Sequence, residues 1–334
     1  MHLRDKEDFL AVPKPLVTPY RRFLQPRTLD APPTVILWWG TLGYAGKVTL
    51  GDLHAVENLS RALTERGHRH AILSHPDLRL AGHLSVDDIF ALRRTISRIV
   101  FVCGPLLDRA WLRDFFAVHA TARKFAVGVS ILPAEQRMTA RFDGVVARDG
   151  VAESYFDLAP YGLSAGEFAP QIPPRRVGLC LRGPQKEYGA GRQSQHDKAG
   201  RLFADAIRAH GFEMHEIDTE LTPEQGADAI ASRFRDSDLI FTTRMHGALL
   251  GLAIGRPVIA IDQIPGGAKV TAVMGRIGWP LTFAAETVTA ADLDAAIAGL
   301  GAPGVPAALS ATRDHIQRLS LDAIERAAQL IAAP

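Results

Sequence analysis

Arg244, Met245, His246 and Gly247 stand between a short β-branched and aromatic run, Leu239 to Thr242, and a stretch of small and apolar residues, Gly247 to Ile254, long enough for about two helical turns. A strand that feeds a helix through such a turn exposes unpaired backbone N–H groups and the positive end of the helix dipole, which together favour an anion. The arginine fork and the imidazole add side-chain donors. Phosphate or carboxylate is the expected guest, although a plain capping turn with solvated Arg and His has the same local pattern. Gly255, Pro257 and a second apolar run ending at Asp262 complete a strand-helix-strand unit.

Asp52 is the acidic counterpart. It follows the loop Gly40 to Gly51, in which Gly40, Gly43 and Gly46 let the backbone approach a ligand closely. At the start of the next helix it either caps that helix or accepts a proton from a hydroxyl. Other chemistries lack their residues. The loop does not read G-x-G-x-x-G, and the second strand ends at Ser74-His75-Pro76 without an acidic tip for a ribose. His68, His70 and His75 lack partner ligands at a known metal spacing. No G-x-S-x-G elbow is present, and Cys103 and Cys180 close apolar strands as small core residues.

The elements that must position these residues alternate. Thr34 to Trp39 reads as a strand, Asp52 to Arg66 as a helix stopped by Gly67, and His70 to Ser74 as a strand. A helix opened by Ser85 and Asp88 and running to Ser97, strand Arg98 to Cys103, helix Trp111 to Ala120, and strands Lys124 to Leu132 and Phe142 to Arg148 follow. After a proline-rich joint, Ala169 to Arg175, the series restarts with strand Arg176 to Leu181 and helices Gln195 to His210 and Thr222 to Arg235, the latter capped by Thr222. Trp38 and Trp39 both fall in the first strand and are expected half-buried.

Such alternation predicts an α/β chain of two Rossmann-like parallel-sheet domains facing each other across a cleft, over 34–168 and 175–300. An N-terminal arm, 1–33, precedes them, and an amphipathic helix, 306–333, packs back on the core with Ile316, Leu319, Ile324 and Leu330 on its apolar side. Ligands of such sheets bind at the carboxyl ends of strands, where Arg148, Arg182, Arg244 and Lys269 all fall.

Composition narrows the class. With 334 residues, 47% hydrophobic, there is material for two cores, and a net charge of +2 argues against nucleic acid as a partner. Two cysteines make no disulfide framework, the amino terminus lacks a signal-peptide core, and no apolar run approaches the roughly 20 residues of a membrane span. A cytoplasmic protein is expected. Lys14, Arg21, Arg22 and Arg27 of the arm offer contact to the inner face of an anionic membrane, or else the arm lies on the first domain.

An ordered set of segments resembles the polysaccharide pyruvyl transferases, whose architecture is similar to that of two-domain GT-B glycosyltransferases. The set comprises Gly51-Asp52, Cys103-Gly104-Pro105, Gly128-Val129-Ser130, Val146 to Asp149, Asp157-Leu158-Ala159, Gly178 to Arg182, the R-x-H-G segment Arg244 to Gly247 with Gly255 and Pro257, and Lys269. The resemblance implies transfer of a pyruvyl group from phosphoenolpyruvate to two hydroxyls of a saccharide acceptor, free or lipid-linked, to form a cyclic ketal of a surface polysaccharide or its precursor. It implies donor binding by Arg148, Arg182, Arg244, Met245 and Lys269, proton transfer by Asp52 and His246, and close backbone approach at Gly43, Gly51, Gly104 and Gly247. A donor with carboxylate and phosphate needs several converging cations, which agrees with the arginines counted above. No cofactor or metal is called for. Alternatives are a GT-B glycosyltransferase using a nucleotide sugar, with its diphosphate at the Arg244 turn, and a non-enzymatic glycan-binding protein.

Overall fold

The computed structural model describes residues 33–42, 48–85, 96–108, 110–164, 170–185, 190–222 and 224–333. The arm up to residue 32, the helix expected between Ser85 and Ser97, and Gly43, Gly46 and Lys47 of the glycine loop lie outside them.

The chain divides into two compact units. The first takes the chain up to Tyr44, Ala55–Phe156 and Ala323–Pro334; the second takes Ala45–His54 and Asp157–Asp322. The expected boundary near 168 therefore misses two exchanges. Asp52, expected in the first domain, groups with the second unit, and the C-terminal helix is shared.

In the first unit the strands are β1 (Thr34–Trp38), β2 (His70–Ser74), β3 (Leu84–Ser85), β4 (Arg98–Val102), β5 (Arg123–Ser130) and β6 (Gly144–Asp149). They form one parallel sheet in the order β3-β2-β1-β4-β5-β6. The helices are α1 (Trp39–Leu42), α2 (Leu50–Glu65), whose first turn belongs to the second unit, and α3 (Ala110–Val118). β1 is buried at all five positions, as an apolar run covered on both faces must be. Leu37 of this strand joins Phe101 of β4 and Ala126 and Val129 of β5 in one core. The strand ends one residue earlier than expected, because Trp39 starts α1. Trp38 is consequently fully buried, its Nε1 donating to Leu73 O at 3.1 Å and Ser74 Oγ at 3.0 Å, rather than half-exposed.

The second unit has β7 (Arg176–Cys180), α4 (His196–His210), β8 (Glu213–Glu216), α5 (Ala227–Arg235), β9 (Leu239–Thr242), α6 (Met245–Ala253), β10 (Val258–Asp262), α7 (Lys269–Ile277), β11 (Thr282–Ala284), α8 (Ala290–Gly299) and most of α9 (Val305–Ala332). Its parallel sheet runs β11-β10-β9-β7-β8. α4 buries Ala199, Phe203 and Ala206 at helical spacing, and Phe203 stacks on Phe241 with ring centroids 4.8 Å apart. α5 starts at Ala227 instead of Thr222. Thr222 Oγ1 does accept from Gln225 N at 3.0 Å, but Gly226 becomes the N-cap and the earlier residues remain a turn. Asp238, just before β9, accepts from the backbone N–H groups of Gln171, Arg175 and Arg176 at 3.1, 3.0 and 2.9 Å and so fastens the linker to the sheet.

At the edge of the first sheet, burial pushes the His83 imidazole down to about 4 from 6.5. Its Nδ1 lies 2.7 Å from Ser74 Oγ and its ring meets Trp38 edge-on. Between those two values the unfolded chain binds the proton and the folded chain does not, so stability is lost as pH falls through that window. Melting temperature should therefore decline from pH 7 to 4, and His83→Gln should flatten the decline. An identical slope in the variant would remove His83 as its source.

Candidate functional site

The second sheet, counted from β7, has the doubly wound order in which strand sequence reverses between its first and third strands, β7 and β9. Ligands of such sheets bind beyond the carboxyl ends of the strands at that reversal. The segments leaving those two strands are Leu181–Arg182–Gly183 and Thr243–Arg244, and Arg182 N donates to Thr243 Oγ1 at 2.8 Å, holding the two loops together.

Arg244 is the N-cap of α6, and no side chain caps that helix. Thr242 Oγ1 instead receives Arg244 N at 2.9 Å and donates to Cys180 O at 2.8 Å, fixing the turn from below. Gly247 is not a loop residue but a buried position within α6. A Cβ there would stand 2.4 Å from Thr242 Oγ1 and 2.8 Å from Cys180 Sγ, so glycine is what lets α6 rest on the strand ends. Burial pushes the Cys180 thiol up to about 11, which keeps it protonated packing rather than a nucleophile.

The two arginines differ sharply in what they already hold. The Arg244 guanidinium donates to Leu181 O at 2.7 Å and Thr219 Oγ1 at 3.1 Å, and its Nη2 lies 3.6 Å from carboxylate oxygens of both Asp218 and Glu220. Arg182, half-buried, has a guanidinium with neither hydrogen bond nor ion pair among the described residues. It is the uncommitted cation of this strand end. Lys269 opens α7, whose first turn is already occupied: Asp262 Oδ2 accepts from Ala268 N at 2.6 Å and Thr271 N at 2.9 Å. Met245 begins α6 half-buried.

Gly51 and Asp52 reach this site because residues 48–50 pair antiparallel with 219–221. Leu50 N donates to Thr219 O and Leu221 N to Val48 O, each at 2.8 Å. Asp52 is not the N-cap. It stands in the first turn of α2 and its Oδ2 accepts from Thr49 N at 3.1 Å and Thr49 Oγ1 at 2.8 Å, while Thr49 Oγ1 faces Asp52 N at 3.4 Å, a reciprocal capping arrangement. Gly51 packs on His246. A Cβ on Gly51 would fall 2.2 Å from His246 Nδ1.

His246 Nε2 lies 3.1 Å from Asp157 Oδ2, and Asp157, 2% exposed, also accepts from Ala159 N at 2.8 Å. Sequence reasoning gave Asp157 no role of its own, naming it only within the Asp157-Leu158-Ala159 segment of the resemblance; an acidic residue two positions before a backbone N–H also has the spacing of an Asx turn.

Arg148 and Gly104 belong to the first unit. Arg148 is 5% exposed, with Nη2 donating to Ser130 Oγ at 2.7 Å and Nε 3.4 Å from Asp149 Oδ2. Gly104, at φ +71°, leaves room for the Trp39 indole, which a Cβ would strike. Among the described residues no group of three or more His, Cys, Asp or Glu forms a metal site, and no helix is long and apolar enough to cross a membrane.

Residues 188–263 match the family model of polysaccharide pyruvyl transferases. The matched residues hold β9, α6 and β10, and with them Arg244, Met245, His246 and Gly247, while Arg182 precedes them. No curated protein sequence matches the chain. Among solved structures, it is similar to the kitacinnamycin glycotransferase (14% identity, TM-score 0.52, covering 90% of this chain and 98% of that one). It is also similar to a glycosyltransferase of Rickettsia africae (12%, 0.51, 90% and 98%) and to MurG of Acinetobacter baumannii (13%, 0.50, 90% and 99%). At these identities the likeness establishes fold alone, and that fold is the GT-B class of two Rossmann-like parallel-sheet units.

Arg182→Ala should leave the melting temperature of the ligand-free protein within about 2 °C of wild type, because its guanidinium holds none of the described residues, yet weaken binding of inorganic phosphate at least about tenfold. Arg244→Ala should lower melting temperature as well, since Asp218 and Glu220 lose their partner. Titration calorimetry and thermal melts read both. Wild-type phosphate affinity in Arg182→Ala would remove it from the site.

Proposed function

We propose that this protein is a ketal-forming pyruvyl transferase, moving the pyruvyl group of phosphoenolpyruvate onto two hydroxyls of a saccharide acceptor. The observation that carries this reading is where the family match falls: on the β9 to β10 stretch, whose arginine-lined turn opens an uncapped helix beside the uncommitted Arg182. That end of the sheet supplies what a donor with carboxylate and phosphate requires. Backbone N–H groups of the first turn of α6 take one anionic group, and the Arg182 fork takes the other. Arg244 lends its charge from a fixed position, and Lys269 at the start of α7 is the further cation that this unit contributes. The acceptor belongs to a surface polysaccharide or its precursor, lipid-linked or free.

In the reaction the methylene carbon of the donor takes a proton and its former double-bond carbon gains oxocarbenium character. A sugar hydroxyl adds to that carbon, phosphate leaves with the C–O electron pair, and a second hydroxyl closes the ring. Cations preorganised around the phosphate stabilise the charge it carries away. Asp52 and His246 are the two proton-transfer groups at hand.

The second reading, a glycosyltransferase using a nucleotide sugar, is favoured by the glycosyltransferase neighbours that cover 90% of the chain. The two readings part on the donor. Incubation with phosphoenolpyruvate and a panel of nucleotide-linked and lipid-linked saccharides should give, by mass spectrometry, an acceptor carrying one pyruvyl ketal. Phosphoenolpyruvate should also raise the melting temperature more than UDP does. Stabilisation by UDP alone, with no pyruvyl adduct, would overturn the pyruvyl transferase reading in favour of the glycosyltransferase one.

A further inference from the structure

The two proton-transfer groups are not equally placed. Asp52 Oδ2 is engaged by both the backbone N–H and the hydroxyl of Thr49, as part of the cap on α2. His246 has one nitrogen held and one open. Its Nε2 meets Asp157 Oδ2 at 3.1 Å; its Nδ1 makes no hydrogen bond among the described residues, is not one of their fully buried unpartnered atoms, and lies beside Gly51.

The Asp157 carboxylate is fixed at both oxygens, Oδ1 by Ala159 N at 2.8 Å and Oδ2 by the imidazole. An ionised carboxylate only accepts, so Nε2 must carry the hydrogen. That choice sets the chemistry of the other nitrogen, since in neutral imidazole Nδ1 then holds the lone pair. Gly51 keeps that position clear, because any side chain there would overlap the ring.

We infer that Asp157 is the positioning residue of this site, fixing His246 with Nε2 as donor so that Nδ1 is the atom that exchanges protons with the substrates. The inference rests on the proposed pyruvyl transfer for its chemistry, and on the 157–246 pair alone for its geometry. The proton account closes on one nitrogen. Protonated His246 gives the Nδ1 proton to the donor's methylene carbon, whose π electrons form the new C–H bond. Nδ1 then receives the proton of the first sugar hydroxyl as its oxygen bonds to the adjacent carbon. The second hydroxyl's proton leaves with phosphate, so the enzyme ends as it began.

Asp157→Asn tests this without changing shape. Ala159 N still requires an oxygen, which turns the new amide NH2 toward Nε2, makes Nε2 the acceptor and moves the hydrogen to Nδ1. Turnover should fall about 100-fold or more with KM for phosphoenolpyruvate within about threefold, and the pH–rate profile should change shape. Independently of catalysis, long-range 15N–1H spectra of histidine-labelled wild-type protein should show His246 with Nε2 protonated and Nδ1 bare in its neutral form, the signal being assigned by its loss in His246→Gln. Wild-type turnover and pH profile in a folded Asp157→Asn protein would overturn the inference, as would an Nδ1-protonated neutral His246. If wild-type protein makes no pyruvyl adduct, the proposed function fails while the spectra still decide the positioning role; if adduct forms but the spectra show the other tautomer, the positioning role fails alone.

Discussion

The site depends on two backbone hydrogen bonds, Leu50 N to Thr219 O and Leu221 N to Val48 O. Each contributes only about 1 kcal/mol net, yet they decide which unit receives the start of α2. Because residues 48–50 run antiparallel to 219–221, Gly51 comes to rest on the His246 ring and Thr49 and Asp52 close their mutual cap beside it. The same strip places Thr219 Oγ1, Asp218 and Glu220 around the Arg244 guanidinium. A few weak contacts thus gather groups scattered over the sequence, and the free energy behind them comes from the buried sheet, not from the contacts themselves.

Charge at the strand ends is divided between fixed and available cations. Arg244 is held on four sides, so it provides a steady positive potential and little freedom to follow a ligand. Among the described residues Arg182 is anchored through its backbone alone. The pairing of one immobile cation with one adaptable fork suits a small dianionic group, which needs a field already in place and a side chain able to close on it.

Much of this was legible in the sequence where the signal is local. The strand Leu239–Thr242 and the helix after it read directly from a β-branched run followed by small residues, and so did the turn between them. Trp38 and Trp39 mark the limit of such reading: adjacent, identical residues, one in a strand and one in a helix, separated by nothing that composition records. Partnerships were invisible. Asp157 lies 89 positions from His246, and the commitment of Arg244 to Asp218 and Glu220 arises only when β8 delivers that strip to the sheet. One chain cannot announce which of its arginines will already hold carboxylates.

The exchange of segments between the units makes the protein hard to divide. Its first unit is interrupted by residues 45–54 and completed by 323–334, so cutting at the proline-rich joint would sever both loans at once. A fragment from 157 onward would lack Gly51 and the Thr49–Asp52 cap, and a fragment ending at 156 would lack Ala333, whose carbonyl oxygen receives Arg98 and Arg123 at 3.1 and 3.0 Å. Whole halves of this chain can be exchanged for others only if the borrowed pieces travel with the units that use them.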